Sequence, residues 1–131
     1  MQLPNSWRFT ALYLACSRIG AVLNPLMPIF RKHELSFMLN HGEAKLMVVP
    51  KRYRDFDHEA MARDLAQNVQ SLERVIVADG GGDDDFDALL TKPAWETEPD
   101  ADAILTQSRP GPDDVTQSCF TPPARPANPR A

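Results

Sequence analysis

An α/β fold with a mostly parallel sheet built from βαβ units is what the sequence predicts, and three observations carry it. KLMVVP at 45–50 and VIVA at 75–78 are continuous apolar runs of strand length, the pattern of parallel strands covered on both faces. Between them Met61, Leu65 and Val69 recur every four residues on one helical stripe. A strand, a helix of this length and a second strand make a right-handed βαβ unit.

Each element has its own local signal. QLPN at 2–5 reads as the end of a strand near Leu3. Asn5 or Ser6 can cap a helix running to about Ile19, with Trp7, Leu12, Leu14, Ala15 and Ile19 as a broad apolar face and Gly20 as its stop. AVLNPL is β-like around Val22, and Pro25 limits its length. Leu35, Met38 and Leu39 lie at helical spacing over 31–41, with Gly42 expected as the left-handed cap. The strands near Met47 and Ile76 follow, separated by a helix that Asp57 can cap. GGGDDDFDALL reads as a loop with one or two helical turns.

The expected organisation is a partial α/β domain over 1–91, a surface connection over 92–114 rich in Pro, Asp and Glu, a strand over 115–121, and a tail at 122–131 without regular structure. At 131 residues the chain suits one domain with a modest core.

Net charge is −4, with both signs interspersed. A nucleic-acid or anionic-membrane binder concentrates Lys and Arg on one face, so neither is expected. Cys16 and Cys119 are too few and too far apart for a disulfide framework or a zinc site, and a reducing cytoplasm is the expected location. FTALYLAC, ending at Cys16, loosely resembles a lipoprotein signal. Tyr13 stands where an aliphatic residue is usual, and the chain after Cys16 stays apolar. No stretch approaches the ~20 uninterrupted apolar residues of a membrane span.

Catalytic constellations are thin, and no catalytic, cofactor-binding or metal residue is assigned. His33, His41 and His58 read as solvated or capping histidines, since ligation needs further converging ligands. Asp83, Asp84, Asp85 and Asp87 lack the alternating spacing of a calcium loop and read as an acidic solvated turn. Gly80, Gly81 and Gly82 lack a following Lys-Ser/Thr, and the adjacent acids would repel phosphate. Trp7 with Phe9, and Trp95 with Glu96, suit packing or surface roles. Ser17 and Arg18 have no base at hydrogen-bond spacing, so no nucleophile is supported.

The stretch QLPNSWRFTALYLACSRIGAVLNPLMPIFRKHELSFMLNHGEAKLMVVP resembles the early part of the N-terminal domain of AMP-forming acyl-CoA synthetases, within the adenylate-forming ligases. The shared features are QLPN closing a strand, a helix with Ala and Cys in its middle, GAVxNPLxP, an EL-containing helix and a further strand, in that order. The match is dense over 2–50 and continues to about Gln117, through PDDVTQ. The branch suggested is that of cyclohexanecarboxylate and medium-chain acyl-CoA ligases. The resemblance implies a carboxylate attacking the ATP α-phosphate to give an acyl-adenylate, followed by displacement of AMP by CoA, with Mg2+ among the cofactors.

That family's phosphate loop, TSGTTGEPKG or close to it, should begin at Thr121, but PPARPANPRA follows Thr121. G+C-rich codons for the loop, ACC TCC GGC ACG ACC GGC GAA CCC AAG GGC, read one nucleotide late give CCT CCG GCA CGA CCG GCG AAC CCA AGG GC. These encode Pro122 through Ala131 without a mismatch. The expectation is a truncated, frameshifted ligase fragment with upstream sequence missing as well, inactive alone and inclined to self-associate through uncovered apolar surface. Two other readings stay open: a small interaction protein that pairs with an intact ligase or another partner, and an exported lipoprotein.

Overall fold

The structure is a computed structural model that describes residues 1–91 and 99–120. In chain order the elements are α1 (Trp7–Arg18), α2 (Lys32–His41), β1 (Leu46–Pro50), β2 (Arg52–Tyr53), β3 (Phe56–Asp57), α3 (His58–Asn68), β4 (Arg74–Ala78), α4 (Phe86–Thr91) and α5 (Ala101–Gln107). β1 and β4 pair in parallel, from Leu46 opposite Arg74 to Pro50 opposite Ala78, with α3 in the crossover. The class is α/β, as the two apolar runs predict.

Strand alternation distributes those runs between two layers. Met47, Val49, Val75 and Val77 pack with Leu35 and Leu39 of α2 and Met61 and Leu65 of α3. Val48, Ile76 and Ala78 turn to the other face, under Phe9, Leu12, Tyr13 and Cys16 of α1 and Phe86 of α4. Leu35, Val49 and Leu65 are fully buried, each burial stabilising by about 1.5–3 kcal/mol of transfer free energy.

Only part of the expected apolar face of α1 is covered. Phe9, Leu12, Tyr13 and Cys16 make the contacts, whereas Trp7, Leu14, Ala15 and Ile19 are exposed. Gly20 stops α1 as expected: its φ is +68°, and the Ala21 N–H reaches back to the Cys16 carbonyl at 2.9 Å in a Schellman-type closure. Gly42 departs from expectation. Its φ is −87°, and the left-handed residue is the next one, Glu43, at φ 45°. A Cβ on Gly42 would lie 3.1 Å from the Met38 carbonyl, so space rather than handedness favours glycine there. α2 starts within one residue of expectation, with the Glu34 carboxylate accepting from the Arg31 N–H at 3.1 Å. Asp57 caps α3 as expected, accepting from the Ala60 N–H at 2.8 Å.

The strands expected near Leu3 and Val22 are shortened to single rungs. Gln2 N–H donates to the Val48 carbonyl at 2.8 Å, but Pro50, next on that edge, has no N–H to reply. Leu23 makes one isolated parallel bridge to Gln117. That bridge is also all that residues 115–120 contribute in place of the expected strand; Thr121 and the tail at 122–131 lie outside the described residues, as do Trp95 and Glu96. Within the expected surface connection, residues 101–107 form α5, whose residues are all exposed or half-buried. The β2–β3 hairpin was not foreseen. Arg54 and Asp55 form its two-residue turn with φ of 48° and 59°, left-handed values that Asn-Gly usually supplies.

Candidate functional site

The most constrained polar constellation joins three chain segments. Met1–Leu3 lies against β1, residues 27–31 lead into α2, and β3 leads into α3. Gln2 and His58 are both fully buried where these meet. The Gln2 amide donates from Nε2 to the carbonyls of Met27 and Phe30, at 2.9 and 3.0 Å. Those two acceptors fix the amide's orientation and point Oε1 at His58 Nδ1, 3.2 Å away. Nδ1 therefore carries the proton and donates, leaving Nε2 as a bare acceptor. Nε2 is buried and has no protein partner among the described residues.

Burial holds the His58 imidazole below its ordinary 6.5, and the positive charge of Arg31 adds to that. Phe56 meets the His58 ring edge-on at 5.0 Å, and the Arg31 guanidinium lies 3.9 Å over Phe56. Beside this stack a shallow pocket of about 330 Å³ is lined by Met27, Pro28, Ile29, Arg31, Tyr53 and Arg54. The ring is neutral, buried and tied to an amide. It positions three segments.

His58 is thus not the solvated or capping residue that its charged neighbours suggest. The usable signal was periodicity: with Asp57 as the cap, His58 falls on the same stripe as Met61, Ala62 and Leu65. His33 and His41 do lie exposed, His41 stacked on Phe37 at 5.6 Å.

The acidic turn is structured rather than solvated. Asp85 is buried and accepts from the N–H groups of Gly80, Gly81 and Ala88 at 2.9, 3.1 and 3.0 Å. These hydrogen bonds, led by Ala88 and Gly81, hold its carboxyl below the usual range. Asp84 pairs with Arg74 at 3.0 Å. Asp87 and Asp79 grip Arg8 at 2.6 and 2.7 Å, so this loop anchors the start of α1 to the end of β4. Because Asp85 already occupies the Gly80 and Gly81 amides and adds its own negative charge, the loop does not fit a phosphate. Among the described residues no three His, Cys, Asp or Glu side chains gather as a metal site. Arg18 reaches the Leu105 carbonyl at 3.4 Å, and Ser17 is half-buried beside it. Cys16 is half-buried on α1, where burial raises its thiol pKa. No helix among the described residues is long and apolar enough to cross a membrane.

A parallel sheet flanked by helices defines an α/β domain. Residues 1–122 match the AMP-binding enzyme family, and the chain belongs to that family. It is 42% identical over 80 residues to a salicylyl-CoA synthase / salicylate adenylyltransferase of Streptomyces sp, covering 61% of this chain and 14% of that protein. It is 40% identical over 78 residues to a 2-hydroxy-7-methoxy-5-methyl-1-naphthoate–CoA ligase of Streptomyces carzinostaticus, covering 60% and 14%. A medium-chain fatty-acid–CoA ligase of Escherichia coli (strain K12) is 35% identical over 78 residues, again covering 60% and 14%. The chain spans about 14% of the length of these curated relatives.

Proposed function

We propose that this chain is part of the N-terminal-domain scaffold of an ATP-dependent ligase that activates a hydrophobic carboxylic acid as its acyl-adenylate and transfers it to CoA. We further propose that the 131-residue chain alone performs neither step. One observation carries the second statement. PDDVTQSCFT leads up to the place where the family resemblance puts a glycine- and threonine-rich phosphate loop, and PPARPANPRA stands there. Such a loop works by letting backbone N–H groups and a lysine approach the phosphates. Pro122, Pro123, Pro126 and Pro129 cannot donate a backbone N–H, and the replacing stretch contains no glycine and no lysine. The decoding of that stretch as the loop in a shifted frame supports a frameshift as its origin.

The relatives are named for salicylate, a naphthoate and medium-chain fatty acids. The acid proposed for the intact enzyme is accordingly aromatic or of medium chain length, with ATP, Mg2+ and CoA as its cofactors. The test is carboxylate-dependent exchange of pyrophosphate into ATP, run with salicylate and with octanoate. The chain should give only background, and exchange that depends on either acid overturns its inactivity.

A further inference from the structure

His58 is the first residue of α3, its ring is fully buried, and its two nitrogens are unequal. Nδ1 keeps its hydrogen bond to Gln2 Oε1, 3.2 Å away, in either charge state. Nε2 has no partner among the described residues, so a second proton goes there. Taking it up turns a bare lone pair into a buried, charged donor without an acceptor, which an interior tolerates badly. The surroundings add to that cost. Arg31 brings positive charge from the segment before α2, and a cation at the start of a helix opposes its dipole. Asp57, at the end of β3, is the carboxylate that favours the charged ring; Tyr53 supplies a phenol, and Gln2 is neutral. Burial first and Arg31 second already hold the ring below its ordinary 6.5, against the pull of Asp57.

Relief requires water at Nε2, and the covers over the ring differ in strength. Gln2 is tied to the Met27 and Phe30 carbonyls through its amide and to Val48 through its backbone N–H. Phe56 and Tyr53, whose rings lie 5.0 and 6.4 Å from the imidazole, are carried by the β2–β3 hairpin. That hairpin has two residues per strand and joins no other strand among those described. An isolated ribbon of this kind is marginal in water. Its turn residues, Arg54 and Asp55, hold left-handed angles without glycine, which weakens it further. At its base the Lys51 carbonyl accepts from the His58 and Glu59 N–H groups at 3.1 and 3.3 Å.

We propose that the hairpin is an acid-released cover: proton uptake at His58 Nε2 frees residues 52–57 to swing off the ring and admit water, while β1, β4 and the body of α3 stay folded. Opening also dismantles the pocket of about 330 Å³, because Tyr53 and Arg54 of the hairpin form one wall of it and Met27, Pro28, Ile29 and Arg31 the other. The pocket is therefore a feature of the neutral protein alone. The inference does not depend on ligase activity.

The test is native-state amide exchange between pH 7 and pH 5, corrected for the intrinsic effect of pH. It is read at the His58 and Glu59 N–H groups, with the Val69 N–H, bonded to Leu65 at 2.9 Å, reporting the body of the domain. Protection at His58 and Glu59 should fall roughly tenfold or more while Val69 changes by less than about twofold. In His58→Asn, whose amide can still donate to Gln2 but takes no charge, the fall should vanish. Imidazole nitrogen NMR signals of the unaltered chain, followed over the same range, should show the loss of protection tracking protonation of Nε2. An equal fall at all three amides, or a fall that persists in His58→Asn, overturns the proposal. So does a ring still neutral at pH 5, or one that takes the proton with protection unchanged.

Discussion

The side-chain amide of Gln2 and the imidazole of His58, 56 residues apart, meet at 3.2 Å in the fully buried interior. Each fixes the other: two carbonyl acceptors orient the amide, and the amide selects the ring's tautomer. Removing either partner leaves buried polar atoms unanswered, which costs more than the bond itself contributes. Gln2→Ala leaves the buried Nδ1 without its acceptor and takes one of two donors from each of the Met27 and Phe30 carbonyls, which keep the Phe30 N–H and Arg31 respectively, so it should lower unfolding free energy by about 1–3 kcal/mol. His58→Ala should cost about 2–3 kcal/mol. Urea denaturation of both single mutants and the double mutant checks this, and the paired losses should fall short of additive because the sites touch.

Stability should fall as pH drops from 8 towards 5. The Met1 amine is lowered from 8.0 to about 6 by burial, so the unfolded chain binds more protons between those values. That difference is worth about 2–3 kcal/mol, present in full above pH 8 and lost as pH falls to 6. His58 acts in the same sense below 6.5, because its folded value lies under its ordinary one. Acetylating Met1 should remove the dependence between pH 6 and 8 and leave the part below 6.5. Thermal midpoints measured across pH for the two forms decide it.

Gly20 should tolerate alanine badly. Its φ of +68° is left-handed, and a Cβ would stand 2.8 Å from the Ser108 carbonyl. Gly81 shares the handedness, at φ +75°, but faces open space. Gly81→Ala should therefore cost only the conformational penalty of about 1–2 kcal/mol, and Gly20→Ala visibly more. Midpoints of denaturation for the two variants, compared side by side, test the role of the α1–Ser108 contact.

The acidic turn yields a charge prediction. Arg8→Lys keeps the charge but loses the bidentate grip on Asp87, whose contacts run through Nε at 3.1 Å and Nη2 at 2.6 Å. Arg8 is largely covered and reaches both Asp79 and Asp87, so the substitution should cost about 1 kcal/mol, and Arg8→Ala about 2. Salt titration of stability should flatten in the alanine variant.

What the sequence made legible follows from the range of each interaction. β1, β4 and α3 were readable because continuous apolar runs and a four-residue stripe are local patterns. His58 reads as a solvated residue in the sequence because its flanking residues are charged and its partner, Gln2, lies 56 positions away. The β2–β3 hairpin escaped notice because Arg54 and Asp55 adopt left-handed angles without the glycine that normally announces them. The covered face of α1 was only partly identified: helical period locates apolar side chains but does not say which the sheet will reach. The single rungs at Gln2 and Leu23 depend on neighbouring strands, which no local window contains.

The central claim, that residues 122–131 replace a phosphate loop through a shift of frame, is tested most directly by the nucleotide sequence across and beyond codon 121. The account predicts that another frame reads TSGTTGEPKG, or close to it, and continues as the body of an acyl-CoA ligase. Alternative frames without any glycine- and threonine-rich loop would contradict it and make PPARPANPRA a genuine part of the protein.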